Sequence, residues 1–148
     1  MLQLTKRTEY GLIALVHLVD RSGEFVSVRE ICERYPVPRR LVAEVLKDLL
    51  HANLVDSQRG AAGGYALARP ADRITLADVV SVLEGRPSLT ECESLATYEA
   101  GSCGVEPLCP IRSPIHRVRI GIWNLFEGTS LLDLAHGPAT VPMPLQAT

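Results

Sequence analysis

The sequence is poor in aromatic residues and has no long apolar run. Phenylalanine, tryptophan and tyrosine make up 5% of the 148 residues, so aliphatic side chains must fill most of the core. No uninterrupted apolar stretch reaches the roughly 18 residues that a membrane span needs. The apolar stretch near the N-terminus contains His17 and has no small-residue cleavage site, so it does not resemble a signal peptide. A cytoplasmic protein without membrane association is therefore expected.

The sequence also lacks an excess of positive charge and any catalytic motif. The formal net charge is −2, but residues 1–73 carry 11 basic against 9 acidic side chains, whereas residues 74–148 carry 4 against 8. Phosphates attract basic surface, so a DNA contact is expected in the first half. There is no phosphate-binding glycine loop and no nucleophile paired with a base, which makes an enzyme the least expected class.

A helix-turn-helix pattern occupies the first third of the chain. Apolar residues recur at helical spacing over about residues 5–21. A short helix should follow Ser27, which has Glu30 at capping-box spacing. A proline-containing turn ends that helix, and the next helix should run from Pro38 to about Ala52. Two short amphipathic helices joined by such a turn are typical of a helix-turn-helix unit.

A glycine-rich hairpin comes directly after these helices. Leu54 and Val55 can begin a strand, residues 59–64 contain Arg59 and three glycines, and residues 65–67 alternate as a return strand. An ordinary surface hairpin has the same pattern. Its position after the second helix, with an arginine at the tip, favours a wing.

The second half combines a loop with a long helix. A helix capped by Thr75 should end near Leu83, and the residues up to 108 show no clean periodicity. A long helix is predicted from Pro110 to about Glu127, followed by a short leucine-containing helix. Apolar residues of the long helix recur at a/d spacing, which is typical of helices that pack against a partner helix. The residues in that seam are Ile111, Ile115, Val118, Ile122 and Leu125.

Three of the four cysteines, Cys92, Cys103 and Cys109, fall within eighteen residues. Clustered cysteines in a chain without an export signal more often bind metal or respond to oxidation than form a structural disulfide. Thiolates suit iron–sulfur chemistry, and zinc is less favoured because no close pair of cysteines is present. A switch that pairs Cys103 with Cys109 is a further alternative. Cys32 lies at an expected core position and is interpreted as structural.

Taken together, these features resemble the Rrf family of bacterial winged-helix transcription regulators over about residues 1–135. The most specific similarities are residues 4–10, residues 59–67, the cysteine series before a long helix, and residues 129–134. That family includes the iron–sulfur cluster assembly regulator, the nitric-oxide-sensing repressor and the rhizobial iron regulator. The resemblance implies a homodimer with paired wings and long crossed helices that binds a double-stranded DNA operator.

The resemblance also implies an iron–sulfur cluster, 2Fe–2S or 4Fe–4S, held by the three clustered cysteines near the dimer interface. Ten and five residues separate these cysteines, whereas family members often have five in each gap. A histidine ligand of the cluster assembly regulator is replaced here by Arg112. The nitric-oxide-sensing repressor takes an acidic ligand from the other subunit, and Glu9 occupies the matching place. Alternatively, Glu9 is a solvated helix residue. His116 competes less well, since about 10 Å of helical rise separates it from Cys109.

The candidate DNA contacts lie at the start of the second helix of the pair and in the wing. Arg39 and Arg40 are placed to read guanine edges or contact phosphate. Glu44 lies one turn on, where it either accepts from cytosine or remains solvated. In the resembling family the arginine that matches Arg59 enters the minor groove, which attracts arginine where it is narrow. The full set, with two expected phosphate contacts on the first helix, is Lys6, Arg7, Arg39, Arg40, Glu44 and Arg59.

The sequence therefore predicts a mainly α fold with a small β-hairpin wing. Residues 1–85 form the winged helix-turn-helix domain, and residues 86–109 form a cysteine-bearing sensor loop. A dimerisation helix and a short final helix occupy residues 110–136, and residues 137–148 are expected to be a disordered tail. The alternatives are a regulator that depends on thiols or zinc without a cluster, and a winged-helix module that binds another protein.

Overall fold

A computed structural model of the chain describes residues 3–86, 88–90, 104–105 and 108–137. These residues form a mostly helical structure with one antiparallel hairpin, which confirms the predicted fold class. Within the described ranges, no helix is both long and apolar enough to cross a membrane. Cys92, Cys103 and nearly all of the predicted tail lie outside the described residues.

The elements follow one another in the order that the sequence predicts. In chain order they are α1 (Lys6–Asp20), α2 (Val28–Arg34), α3 (Arg39–His51), β1 (Val55–Gln58), β2 (Gly64–Leu67), a 3-10 turn (Ala71–Arg73), α4 (Leu76–Leu83), α5 (Arg112–Glu127) and α6 (Leu131–His136).

Side-chain caps set several helix boundaries. The Ser27 hydroxyl accepts from the backbone N–H of Glu30, as its spacing predicts. A capping box would also need the Glu30 carboxylate to accept from the backbone N–H of Ser27. That second bond does not form, because the Glu30 carboxylate lies 3.1 Å from the guanidinium of Arg21. Pro38 is the N-cap of α3 rather than its first helical residue, so the helix begins one residue later than predicted. These small shifts leave the helix-turn-helix arrangement intact.

The hydrophobic core joins both ends of the chain. Leu131 at the start of α6 is completely buried in the same cluster as the core residues of α1 and α3. Two backbone bonds hold it there: the N–H of Leu131 donates to the carbonyl of Ile74 at 2.8 Å, and that of Leu76 donates to Thr129 at 2.8 Å. The chain that continues through α5 therefore returns to pack against the first 85 residues.

The wing is fastened to the chain that links α1 and α2. In the hairpin Val55 pairs with Leu67 and Gln58 pairs with Gly64, so Gly64 belongs to a strand rather than to the predicted turn. Val26 pairs with Tyr65 through two backbone hydrogen bonds of 2.8 Å. The hairpin thus has a fixed position beside the helix-turn-helix unit.

Candidate DNA interface and sensor segment

Helix α3 presents a polar face opposite its buried face. Val42, Val45, Leu46 and Leu49 are fully buried, while Arg39 and Arg40 are exposed at the start of the helix. The Arg39 side chain makes no ion pair with any described residue. An exposed arginine at this end of a recognition helix is available to base edges or phosphates.

Arg40 and Glu44 interact with each other on this face. The Nε of Arg40 donates to Glu44 Oε1 at 3.0 Å, and 93% of the Arg40 side chain remains exposed. An exposed pair at this spacing contributes only about 0.3–0.5 kcal/mol, so DNA can displace it easily. Lys47 continues the same face by helical spacing and is exposed. Lys47 was not predicted as a DNA contact, although its position seven residues after Arg40 places it on the same helix face.

The two basic residues at the start of α1 have acidic neighbours. Lys6 Nζ lies 2.5 Å from Glu9 Oε2, and this hydrogen bond raises the pKa of the lysine. The guanidinium of Arg7 pairs with the Asp48 carboxylate on α3. Arg7 therefore ties α1 to the recognition helix, a contact that the sequence did not indicate, and its charge is largely compensated before any phosphate arrives.

Arg59 lies in the tight turn of the wing. It directly follows β1 and is exposed, as are the next three residues. Gly60 has φ +110°, a conformation that favours glycine. A Cβ on Gly63 would meet the carbonyl oxygen of Gln58 at 2.3 Å. These two glycines allow the tight turn that carries the arginine.

Cys109 is the described member of the cysteine series. Its thiol is free and half-buried, three residues before the first residue of α5. We call residues 86–109, which lie between α4 and α5 in the sequence, the cysteine segment. Just before this segment, Glu84 caps the C-terminus of α4 and contacts Thr5, the N-cap of α1. Glu9 lies one helical turn after Thr5. The start of the cysteine segment and the Glu9 turn of α1 therefore lie on one side of the protomer.

Among the described residues, no three histidine, cysteine or acidic side chains come together as a metal site. Two of the three predicted cysteine ligands lie outside those residues, so the predicted ligand set is not tested. His116 is exposed on α5, and its Nδ1 lies 3.1 Å from the guanidinium of Arg119. Cys32, expected to be structural, is a partly buried free thiol packed against the core.

Helix α5 has no buried residue and exposes an apolar stripe. Three residues of the predicted seam are more than half exposed: Ile111 (55%), Val118 (51%) and Leu125 (57%). The other two, Ile115 and Ile122, are half-buried in the protomer. Because Ile111, Val118 and Leu125 are seven residues apart, they share one face of the helix.

The helix-turn-helix pair, the fastened wing and the long outer helix define a winged-helix DNA-binding fold. The chain belongs to the Rrf2 family, described as iron-dependent transcriptional regulators, whose model matches residues 4–137. The resemblance inferred from the sequence is thereby confirmed. Membership makes this chain a transcription regulator rather than an enzyme, and implies that it binds DNA.

Individual relatives agree with this assignment. Protein aau3 of Rhizobium meliloti (strain 1021) is 30% identical over 135 residues, which cover 90% of this chain and 84% of the relative. The structure of CymR, the global cysteine regulator of B. subtilis, is similar with a TM-score of 0.72 and 28% identity, over 91% of this chain and 97% of that one. T. potens IscR is similar with a TM-score of 0.69 and 27% identity, over 90% and 85% of the two chains.

Proposed function

We propose that the chain is a homodimeric transcription regulator that senses iron–sulfur status, redox state or nitric oxide through an iron–sulfur cluster. Cys92, Cys103 and Cys109 would hold the cluster, with Glu9 of the partner subunit as fourth ligand. The observation that carries this proposal is the free, half-buried thiol of Cys109 beside the exposed helix α5. The family description as iron-dependent regulators supports it.

The donor set fits such a cluster. Three thiolates are the soft ligands that iron–sulfur centres require, and a carboxylate at the fourth position leaves one iron more labile. The Glu9 side chain is 37% exposed, and among the described residues its ion-pair partner is the exposed Lys6. Release of that lysine costs little, because exposed ion pairs of this kind are weak. Glu9 is therefore available to a ligand from a second subunit.

The stripe of Ile111, Val118 and Leu125 supports the homodimer. Large apolar side chains that are more than half exposed along one helix face favour burial, at about 25 cal/mol for each Å² of apolar surface removed from water. Their heptad spacing suits an antiparallel or crossed contact with the same helix of a second copy. Two-fold pairing would place two copies of α3 and of the wing on one DNA duplex.

The bound cluster supplies a centre whose oxidation or loss changes the charge and ligation of the cysteine segment. The residues of this chain would convert that change into a change of DNA affinity. Cys109 lies close to the first turn of α5, and the opposite end of the segment joins α4. Because α5 is the proposed dimer contact, a change in the segment alters the relative pose of the two recognition helices, on which half-site spacing depends.

In the proposed complex, Arg39 and Arg40 read the major groove from the start of α3, and Arg59 enters the minor groove. Glu44 orients Arg40 through their hydrogen bond, and Lys6 contacts phosphate. Arg7 contributes less directly, because Asp48 already pairs with it.

Substitution of the two arginines tests these roles on a duplex that the protein selects from a random-sequence pool. Arg59→Ala should weaken binding to all sequences and reduce the slope of log affinity against log salt concentration by about one. Arg40→Ala should cost about 1–3 kcal/mol at one base position and relax the preference there. Arg73→Ala removes the same charge from the 3-10 turn and should change neither the overall affinity for DNA nor the base preference. Binding by both test variants that equals wild type would remove the assignment.

Cysteine substitution tests the ligand set. Each of Cys92→Ser, Cys103→Ser and Cys109→Ser should abolish iron and sulfide incorporation, because a protonated hydroxyl is a poor ligand for iron. Glu9→Ala should still assemble the cluster but lose it faster in air or with nitric oxide. Cys32→Ser is the matched control and should keep the visible spectrum. Full iron and sulfide content in the three cysteine variants would contradict the proposal.

A thiol-dependent regulator without a cluster is the second candidate. The similar CymR is described as the global cysteine regulator, and Cys109 is a free thiol here. In that case the operator affinity should follow thiol oxidation in protein from which all metal has been removed. The same measurement on Cys103→Ser and Cys109→Ser identifies the pair involved.

A further inference from the structure

The N-terminus of α1 lacks the acidic residue that a local capping box would supply. Thr5 is the N-cap, and its hydroxyl accepts from the backbone N–H of Thr8 at 3.3 Å. The third helical residue, where a capping box has glutamate or glutamine, is Thr8, which is fully buried. The backbone N–H of Thr5 must therefore find its acceptor elsewhere in the protein.

Glu84 supplies that acceptor from 79 residues away. Its Oε1 accepts from the backbone N–H of Thr5 at 2.7 Å and from the Thr5 hydroxyl at 2.7 Å. Burial alone would raise the pKa of Glu84, but hydrogen bonds from Thr8 and Thr5 outweigh it and lower the pKa. The residue is thus a carboxylate near neutral pH, and it stabilises the positive end of the α1 dipole.

Glu84 also stands at the entrance to the cysteine segment. It caps the end of α4, and Gly85 turns the chain with φ +80°. The guanidinium of Arg86 then lies over the ring of Trp123 on α5, 5.1 Å from its centre. Glu84 therefore contacts the N-terminus of α1, and Arg86, two residues later, contacts the proposed dimer helix.

The contacts continue from α1 to the recognition helix. Arg7, in the first turn of α1, pairs with Asp48 of α3. We propose that Glu84 is a positioning residue that couples the cysteine segment to the recognition helix through Thr5, Arg7 and Asp48. This inference rests on the proposed sensing function for its signal, but the contacts that carry it lie entirely within the described residues.

Coupling of this kind must act in both directions. If the state of the cysteine segment changes operator affinity through Glu84, then operator binding must change the surroundings of the residues at the segment's entrance by the same coupling free energy. Trp123 is the only tryptophan of the chain and contacts Arg86, so its fluorescence reports on that entrance. The reverse direction can be measured without a cluster.

The test uses iron-free, thiol-reduced protein titrated with the selected duplex. Wild type should show a change in Trp123 emission on binding, and Glu84→Ala should lose at least about half of it. Glu84→Gln retains an oxygen acceptor for Thr5 and should restore it. Asp133→Ala is the matched control: Asp133 caps α6 through Ser130, so its loss also removes a capping carboxylate but lies outside the proposed path.

A second readout compares operator affinity between cluster-loaded and cluster-free protein. We expect a ratio of about fivefold or more in wild type and below about twofold in Glu84→Ala, with Asp133→Ala unchanged. A wild-type ratio of one with the Trp123 response intact would reject the cluster as signal and leave the coupling supported. No Trp123 response in wild type, or the same response in Glu84→Ala, would overturn the inference.

Discussion

Val118→Asp should convert the proposed homodimer into a monomer that still folds. Val118 is 51% exposed in the protomer and is the middle residue of the apolar stripe on α5, so the change places a charge at an exposed position rather than in the core. In a two-fold dimer the aspartates of both subunits enter the same apolar contact, at a cost of several kcal/mol if unpaired. Sedimentation should show the monomer, and operator affinity should fall by more than about a hundredfold.

Asn124→Asp is the matched control, since it adds the same charge to an exposed position of α5 away from the stripe. It should remain dimeric. Ile122 lies in the predicted seam but is half-buried in the protomer. A charge there would also destabilise the protomer, so loss of the dimer could not be distinguished from unfolding. A Val118→Asp protein that stays dimeric would show that the subunits meet through another surface.

Gly64→Ala should dislodge the wing. A Cβ at this position would lie 2.2 Å from the carbonyl oxygen of Val26, which is far closer than two such atoms can approach. The obstacle is backbone, and Val26 is held by two hydrogen bonds to Tyr65, so neither side can yield without breaking the bridge. We expect the free energy of unfolding to fall by about 1–3 kcal/mol or more, and the midpoint temperature of unfolding to fall by roughly 3–10 °C.

DNA binding by Gly64→Ala should weaken at least as much as it does in Arg59→Ala, because the whole wing shifts rather than one side chain. Ala61→Ser, in the exposed turn of the same hairpin, likewise adds one heavy atom and should change neither stability nor binding. Thermal unfolding and duplex titration of both variants check this account. Wild-type stability in Gly64→Ala would mean that the wing is not fastened to Val26.

The helices and the wing were predictable because their signals are local. Apolar periodicity, the Ser27 cap and the turn glycines each act within a few residues along the chain, and the structure agrees to within one or two residues. The a/d spacing and the cysteine series indicated a helix contact and a metal or redox site, and the similarity to a known family turned these into the expectations of a homodimer and an iron–sulfur cluster.

The contacts between distant elements were not predictable from the sequence. Heptad spacing finds the apolar residues of α5, but it cannot distinguish Ile122, which its own chain partly buries, from Val118, which is 51% exposed. Nothing in the sequence indicates that Glu84 contacts Thr5, because the two residues are 79 positions apart. Likewise, Arg7 looks like a free phosphate contact until folding brings Asp48 to it.

A metal and sulfide assay, with an absorption spectrum, of wild-type protein purified without oxygen shows whether the protein holds an iron–sulfur cluster. We expect iron and acid-labile sulfide in matching amounts and a visible absorption that Cys109→Ser lacks. Zinc without sulfide, or a colourless protein without metal that binds its operator fully, would contradict the cluster. The protein would then be a thiol- or zinc-dependent regulator with the same winged-helix fold.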